Sequence, residues 1–180
     1  MTADVAARLG DRLRETGATV AVAEGHTAGR TFARLTAVPG ASDYAERGYC
    51  TYSYDSLRAE LAVDRETLDE HGVVAAPTTL AMARAARDRA DTTWGLATTG
   101  IAGPSGGEAG RPVGTTYVGI AYAAPWGTGE SFAGVERHVL EGDRETVLAG
   151  AAERALRDLL AAVERRRGAG DDGDADEDVE

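Results

Sequence analysis

Apolar residues at Val5, Ala6, Leu9 and Leu13 recur at helical spacing, which predicts a helix over residues 5–16 with Gly17 as its stop. Residues 18–23 (ATVAVA) form instead a continuous apolar run, the pattern of a strand buried on both faces. The chain turns over 24–29, residues 30–36 return to a helical pattern, and Val38-Pro39-Gly40 breaks it. Residues 48–53 (GYCTYS) are aromatic and β-branched and predict a second strand. Short helices follow over 55–62 and 64–71, with Gly72 ending the second, then an alanine-rich helix over 77–90 opened by proline. Residues 94–99 predict a third strand, 115–123 an alternating fourth and 129–139 a fifth, with a hairpin turn at Thr128-Gly129. Val147, Leu148, Ala151, Leu156, Leu159 and Leu160 mark a terminal helix over 143–166.

Strands interleaved with helices imply an α/β fold, a three-layer α/β/α sandwich with a mixed, mostly parallel sheet and an antiparallel pair at 115–139. One domain is expected over 1–167. Residues 168–180 are expected to form a disordered acidic tail, because Val179 is the only branched apolar side chain there.

Charge sharpens this division. The formal charge is −11, but seven acids lie in the last ten residues, and without them the body carries −4. All 19 basic residues are arginine, and lysine, asparagine and glutamine are absent. An acidic surplus with this bias fits a protein adapted to high salt, whose carboxylates keep the surface hydrated. The basic run Arg165-Arg166-Arg167 suits a helix C-terminus, so no nucleic-acid partner is expected. No apolar run is long enough to cross a bilayer, the first residues do not read as a secretory signal, and Cys50 has no partner for a disulfide. The expectation is a cytoplasmic homo-oligomer without membrane partners.

Thr99-Gly100-Ile101-Ala102-Gly103-Pro104-Ser105-Gly106-Gly107 follows the third strand directly, and Arg111-Pro112-Val113-Gly114 comes soon after. Glycine at this density lets several backbone N–H groups approach an anion or a planar ligand, although a plain surface turn has the same composition. Further strings keep an order and spacing of their own: Val38-Pro39-Gly40-Ala41-Ser42, Glu46-Arg47-Gly48-Tyr49 with Thr51-Tyr52-Ser53, His71-Gly72-Val73-Val74 and Gly142-Asp143-Arg144. Together they resemble the CinA C-terminal domain, the family of nicotinamide-nucleotide amidohydrolases, over residues 5–163. That resemblance implies a site for nicotinamide mononucleotide or a related pyridine nucleotide and no cofactor. It covers only the C-terminal part of full-length CinA proteins, so their molybdopterin-binding-like half, with any activity belonging to it, is not expected here.

Two positions depart from the family pattern. Its first strand ends in Glu-Ser-Cys-Thr-Gly-Gly, where this chain has Glu24-Gly25-His26-Thr27-Ala28-Gly29, so the serine taken as nucleophile falls on Gly25. Its Tyr-Ser-Asn-Glu-Ala-Lys corresponds to Tyr52-Ser53-Tyr54-Asp55-Ser56-Leu57, which puts Leu57 at the lysine. A serine that the family often has after His-Gly-Ala-Val is Ala75. A hydroxyl nucleophile needs an adjacent base, and both partners are replaced. His26 is the candidate substitute; Ser53, Ser56 and Cys50 are further ones, the serines reading also as helix caps and Cys50 as a buried, inert thiol.

The binding positions are better kept. The resemblance assigns ligand contacts to Glu24, Thr27 and Gly29 in the first turn, where a helix N-terminus can face a phosphate, and to Tyr52. It extends them to Thr99, Gly100, Ala102, Gly103, Gly106 and Gly107, and to Arg111 or Arg144 as a phosphate partner, Arg144 reading equally as a surface arginine near the start of the last helix. His26, His71 and His138 have no ligand spacing, so no metal is expected. Three functions follow: a pseudoenzyme binding a pyridine nucleotide, an amidohydrolase with substitute residues that turns the mononucleotide into its acid and ammonia, or a structural partner of an active paralogue.

Overall fold

All five residues of β1 (Val20–Glu24) are buried, as a continuous apolar run demands when helices cover both faces of a sheet. The computed structural model describes residues 4–171. Its sheet has the order β2-β1-β3-β4-β5, with β2 at Ala45–Cys50, β3 at Trp94–Gly100, β4 at Thr115–Tyr122 and β5 at Phe132–Val139. β1 pairs in parallel with β2 and β3, while β4 is antiparallel to both β3 and β5. Four strands therefore point one way and β4 alone runs back, which is the mixed, mostly parallel sheet expected.

Alternation along β1 divides the core. Val20 and Val22, with Leu96, Val118 and Ile120, pack against α1 (Val5–Thr16), α2 (Arg30–Thr36) and α6 (Arg144–Asp171). Ala21 and Ala23, with Ala97 and Ala121, pack against α3 (Tyr54–Leu61), α4 (Arg65–His71) and α5 (Ala76–Ala90). This second face is built of small residues. A Cβ at Gly95 would lie 2.0 Å from the Ala83 carbonyl oxygen, and one at Gly119 2.7 Å from that of Thr79. Glycine at both positions is what lets α5 lie directly on the sheet.

Some boundaries differ from expectation. β2 begins and ends three residues earlier than the aromatic run, because pairing with β1 stops at Cys50 opposite Glu24 and Ser53 becomes the N-cap of α3. A single 3-10 turn, Ala41–Asp43, follows the Val38-Pro39-Gly40 break. β5 begins at Phe132 rather than 129, since Gly127 and Gly129 both take positive φ within the hairpin loop. The last helix runs on to Asp171, through the first four residues expected in the tail, since an established helix propagates with one hydrogen bond per added residue. The rest of that expected tail lies outside the described residues.

Candidate ligand-binding site

β1 is followed by β2 on one side and, after α3, α4 and α5, by β3 on the other. The crevice at the carboxyl ends of β1 and β3 is thus a topological switch point, the usual ligand position in an open α/β sheet. A cavity of about 270 Å³ opens there, lined by Gly25, His26, Thr51, Tyr52, Val73, Thr99, Gly100, Ala102 and Arg144. Residues distant in sequence meet because β1, β2 and β3 end together and the antiparallel β4 begins beside them, Gly100 opposite Thr116.

Gly25 contributes only backbone. Its N–H donates to the Thr98 carbonyl at 2.8 Å, and a Cβ would stand 3.1 Å from that same oxygen. Leu57 does not reach the cavity. It is fully buried under α5 with Leu61, Val63, Leu68 and Met82, on the small-residue side of the sheet. The two positions expected to share chemistry in the family are separated here into a bare wall and a core contact.

Beside Gly25, the half-buried His26 places Nε2 3.3 Å from Thr116 Oγ1. Thr116 donates its own proton to the Gly114 carbonyl, so the hydroxyl accepts from Nε2–H and the Nδ1 lone pair is left unpartnered. Burial first, and then the positive charge of Arg144, push the imidazole down to about 4. The ring is neutral at pH 7. A Cβ at Gly100 would stand 2.7 Å from Nε2 and 2.4 Å from the Thr115 carbonyl oxygen, so the imidazole and the bare α-carbon fit as one unit.

The turn residues do other work. Glu24 is 1 % exposed, and its carboxylate accepts from the backbone N–H of Gly29, Thr31 and Phe32 at 2.9–3.0 Å. That carboxylate fills the place at the α2 N-terminus where the sequence suggests a phosphate. Thr27 is buried with its hydroxyl 2.6 Å from that of Thr98, and Gly29 caps α2 at φ 92°. None of the three lines the cavity.

Of the glycine loop, Thr99, Gly100 and Ala102 reach the cavity wall. Gly103 is buried behind it and accepts from Arg144 Nη1 at 2.8 Å, while Gly106 and Gly107 face outwards. Arg111 donates to the Val74 carbonyl at 2.6 Å and pairs with Glu108; it does not line the cavity. Thr99 Oγ1 donates to the Val73 carbonyl at 3.0 Å. Arg111 and Thr99 thus hold the 73–74 segment as one wall of the site. Tyr52 is 76 % exposed at the rim, its ring and hydroxyl open to a ligand.

Thr51 and Val73 complete the lining, although composition and motif alone gave them no role. Thr51 is buried with its Oγ1 unpartnered. Ser53 and Ser56 form the capping box of α3 and are committed to backbone there. Cys50 is exposed rather than buried, because β2 is an edge strand; partial desolvation, then Glu24, raise its thiol above the usual range. His138 bonds Asp158 at 2.7 Å and His71 lies by Glu70, and the described residues contain no cluster of three or more His, Cys, Asp or Glu side chains fit for a metal.

The family model of the CinA C-terminal domain matches residues 2–163. The chain belongs to the CinA C-terminal domain family. A CinA-like protein of Syntrophobacter fumaroxidans is 44% identical over 148 residues, 82% of this chain and 33% of that protein. A putative competence-damage inducible protein of Desulforudis audaxviator is 40% identical over 158 residues, 88% of this chain and 37% of the relative. The chain thus spans about a third of the length of these curated relatives. Among solved structures, a competence/damage inducible protein, CihA, from Agrobacterium tumefaciens superposes with a TM-score of 0.78 at 31% identity, covering 89% of this chain and 93% of that one. A CinA superfamily protein from Klebsiella pneumoniae gives 0.81 at 28% identity, covering 89% and 96%. Helices flank the five-stranded mixed sheet of this chain, and no helix among the described residues is long and apolar enough to cross a membrane.

Proposed function

We propose that this CinA-family domain binds a pyridine nucleotide of the nicotinamide mononucleotide type without hydrolysing it. The observation that carries the reading is the contrast within one cavity. Its walls keep Tyr52 at the rim, the Thr99-Gly100-Ala102 backbone and the Arg144 cation, while Gly25 offers no side chain and Leu57 lies in the core. A planar ring can stack on Tyr52, and a phosphate can pair with the guanidinium.

Hydrolysis through His26 is less well supported. A base of pKa about 4 is poorly matched to activating water or a hydroxyl at neutral pH. The hydroxyl it touches, Thr116, is fully buried and already donates to a carbonyl. Titration of the purified protein with nicotinamide mononucleotide, with ammonia assayed in parallel, decides among the readings. Binding without ammonia is the expected result. Turnover would make the protein an amidohydrolase with His26 as the first residue to substitute, and neither binding nor turnover would leave a structural partner of an active paralogue.

A further inference from the structure

A second cavity, of about 300 Å³, opens at the other end of β3 from the crevice. Trp94 begins β3 and stands opposite Tyr122, which ends β4, whereas the crevice lies at Thr99 and Gly100. The seven residues of β3 put roughly 20 Å between the two cavities. Gly17 and Ala18, which follow α1, form part of its wall, and α6 contributes Val163, Arg166 and Arg167. Much of the lining is apolar: Trp94, Ala18 and Val163 are each at most 6 % exposed. Tyr122 extends this surface, its ring centroid 4.7 Å from that of Trp94. Gly17 adds no bulk, and a Cβ built there would meet nothing within 4 Å.

The polar groups of the lining are unequal. Thr16 donates its hydroxyl proton to carbonyls of α1, and Thr93 Oγ1 accepts from the Thr19 N–H, so both hydroxyls are engaged. Arg166 and Arg167 carry the charge, and no carboxylate of the described residues joins them in the lining. Their acid partners stand outside it: Arg166 pairs with Glu130 of the β4–β5 loop, and Arg167 with Glu15 at 2.6 Å. Both acids are about half exposed, and exposed pairs of this kind hold weakly. A guanidinium has five N–H groups, so each fork keeps donors for an incoming carboxylate. Arg166 also lies over the Tyr122 ring, 5.5 Å from its centroid, which joins the cation to the aromatic surface.

We propose that this cavity binds a small aromatic carboxylic acid, its ring against Trp94 and Tyr122 and its carboxylate on Arg166 and Arg167. Such a ligand satisfies both parts of the lining at once. A neutral ring would leave the cations unused, and a small anion would leave the aromatic wall wet. The bound carboxylate competes with Glu130 for the Arg166 guanidinium, and no covalent bond is made or broken. The site does not depend on the pyridine-nucleotide reading, since the two cavities share no lining residue.

Phenylacetate is the probe, with phenylacetamide as the control for charge and acetate as the control for the ring. Backbone amide and indole N–H signals of the full chain are followed by NMR in each titration. Phenylacetate should shift the Trp94 indole and the Gly17 and Ala18 amides saturably, and leave Gly25, Gly100 and Ala102 in place. Each control lacks one part of the contact and should bind at least about tenfold more weakly. Arg166→Gln should weaken phenylacetate about tenfold and leave phenylacetamide unaffected. Glu130→Gln should strengthen phenylacetate roughly threefold, by freeing Arg166 from an exposed pair. Circular dichroism shows whether each variant is folded, and the more exposed Arg167→Gln serves if Arg166→Gln is not.

No saturable shift at Trp94 by about 10 mM phenylacetate, well past the range of a weak specific ligand, would overturn the proposal. So would equal binding of acid and amide, wild-type affinity in the folded arginine variant, or no gain in Glu130→Gln. Shifts confined to Gly25 and Gly100 would place the acid in the crevice and overturn it too. Trp94 and Gly17 signals that move on diluting the protein, but not on adding acid, would put the fully exposed Trp126 of a second copy in the cavity instead.

Discussion

A serine side chain at position 25 meets only one close neighbour, the Thr98 carbonyl oxygen at 3.1 Å from the new Cβ. Gly25→Ser is therefore expected to fold, with a loss of about 1 kcal/mol in urea denaturation. Leu57→Lys is a different matter, since it places an amine among Leu61, Leu68 and Met82. Burial lowers the folded pKa of a lysine, and a depression of about three units corresponds to roughly 4 kcal/mol at pH 7. The unfolded chain then holds more protons, so the deficit should shrink as pH rises towards about 10. A flat deficit between pH 7 and 10 would show that the amine escapes to solvent. Restoring both family residues should accordingly give little or no ammonia release, because the second lies outside the cavity and unsettles the fold. Glu24→Gln tests the reading of the turn: losing the charge on three backbone N–H groups should cost about 2 kcal/mol. Unchanged stability would return Glu24 to the list of candidate ligand contacts.

At the scale of elements, α3 carries Tyr52 at its entrance, and the Ser53–Ser56 capping box holds that entrance in place. Ser53→Ala should destabilise the protein by about 1 kcal/mol. It should also weaken mononucleotide binding, because the backbone N–H of Tyr52 donates to Ser56 Oγ in the same motif. A stability loss with unaltered affinity would detach the cap from the site. The helices were legible from apolar spacing and stops: α1 and α2 occupy the expected residues, and α3 to α5 shift by a single residue at their ends. β2 was misplaced because GYCTYS has strand-forming residues throughout, and only pairing with β1 tells where the strand ends. In the site, the motifs pointed to Gly25, His26, Tyr52, Thr99, Gly100, Ala102 and Arg144, which do converge. They could not reveal that Glu24 and Thr27 turn inward, since that depends on α2 folding back over β1. Nor could they give Thr51 and Val73 a place in the wall, which follows from strand order.

For the whole molecule, the balance of charges decides the response to salt. Most of the ion pairs among the described residues join side chains with substantial exposure, such as Arg8–Glu164, Arg12–Glu15 and Arg65–Asp69. Exposed pairs contribute little each, so screening them forfeits little. Screening the repulsion of a chain at −11 gains more. The melting midpoint should therefore rise from low salt to molar potassium chloride, and equal midpoints would remove the case for adaptation to high salt. Cutting the chain after Asp171, where α6 ends, should leave the midpoint in high salt nearly unchanged. A fall of more than a few degrees would mean that residues 172–180 contribute to the folded body.

The close seating of α5 on the sheet makes the two sides of the molecule fail in opposite ways. Under α1 and α6 the sheet carries Val20, Val22, Leu96 and Ile120, so harm there comes from shrinking a side chain and leaving a void. Under α5 it carries Gly95, Ala97, Gly119 and Ala121, where little remains to remove and a Cβ added at either glycine meets the helix backbone. A saturation scan read out by folded yield should divide along this line. Positions on one side should tolerate growth better than loss, while Gly95 and Gly119 should accept no larger residue. A matching substitution spectrum on the two sides would show that α5 can lift away from the sheet to make room.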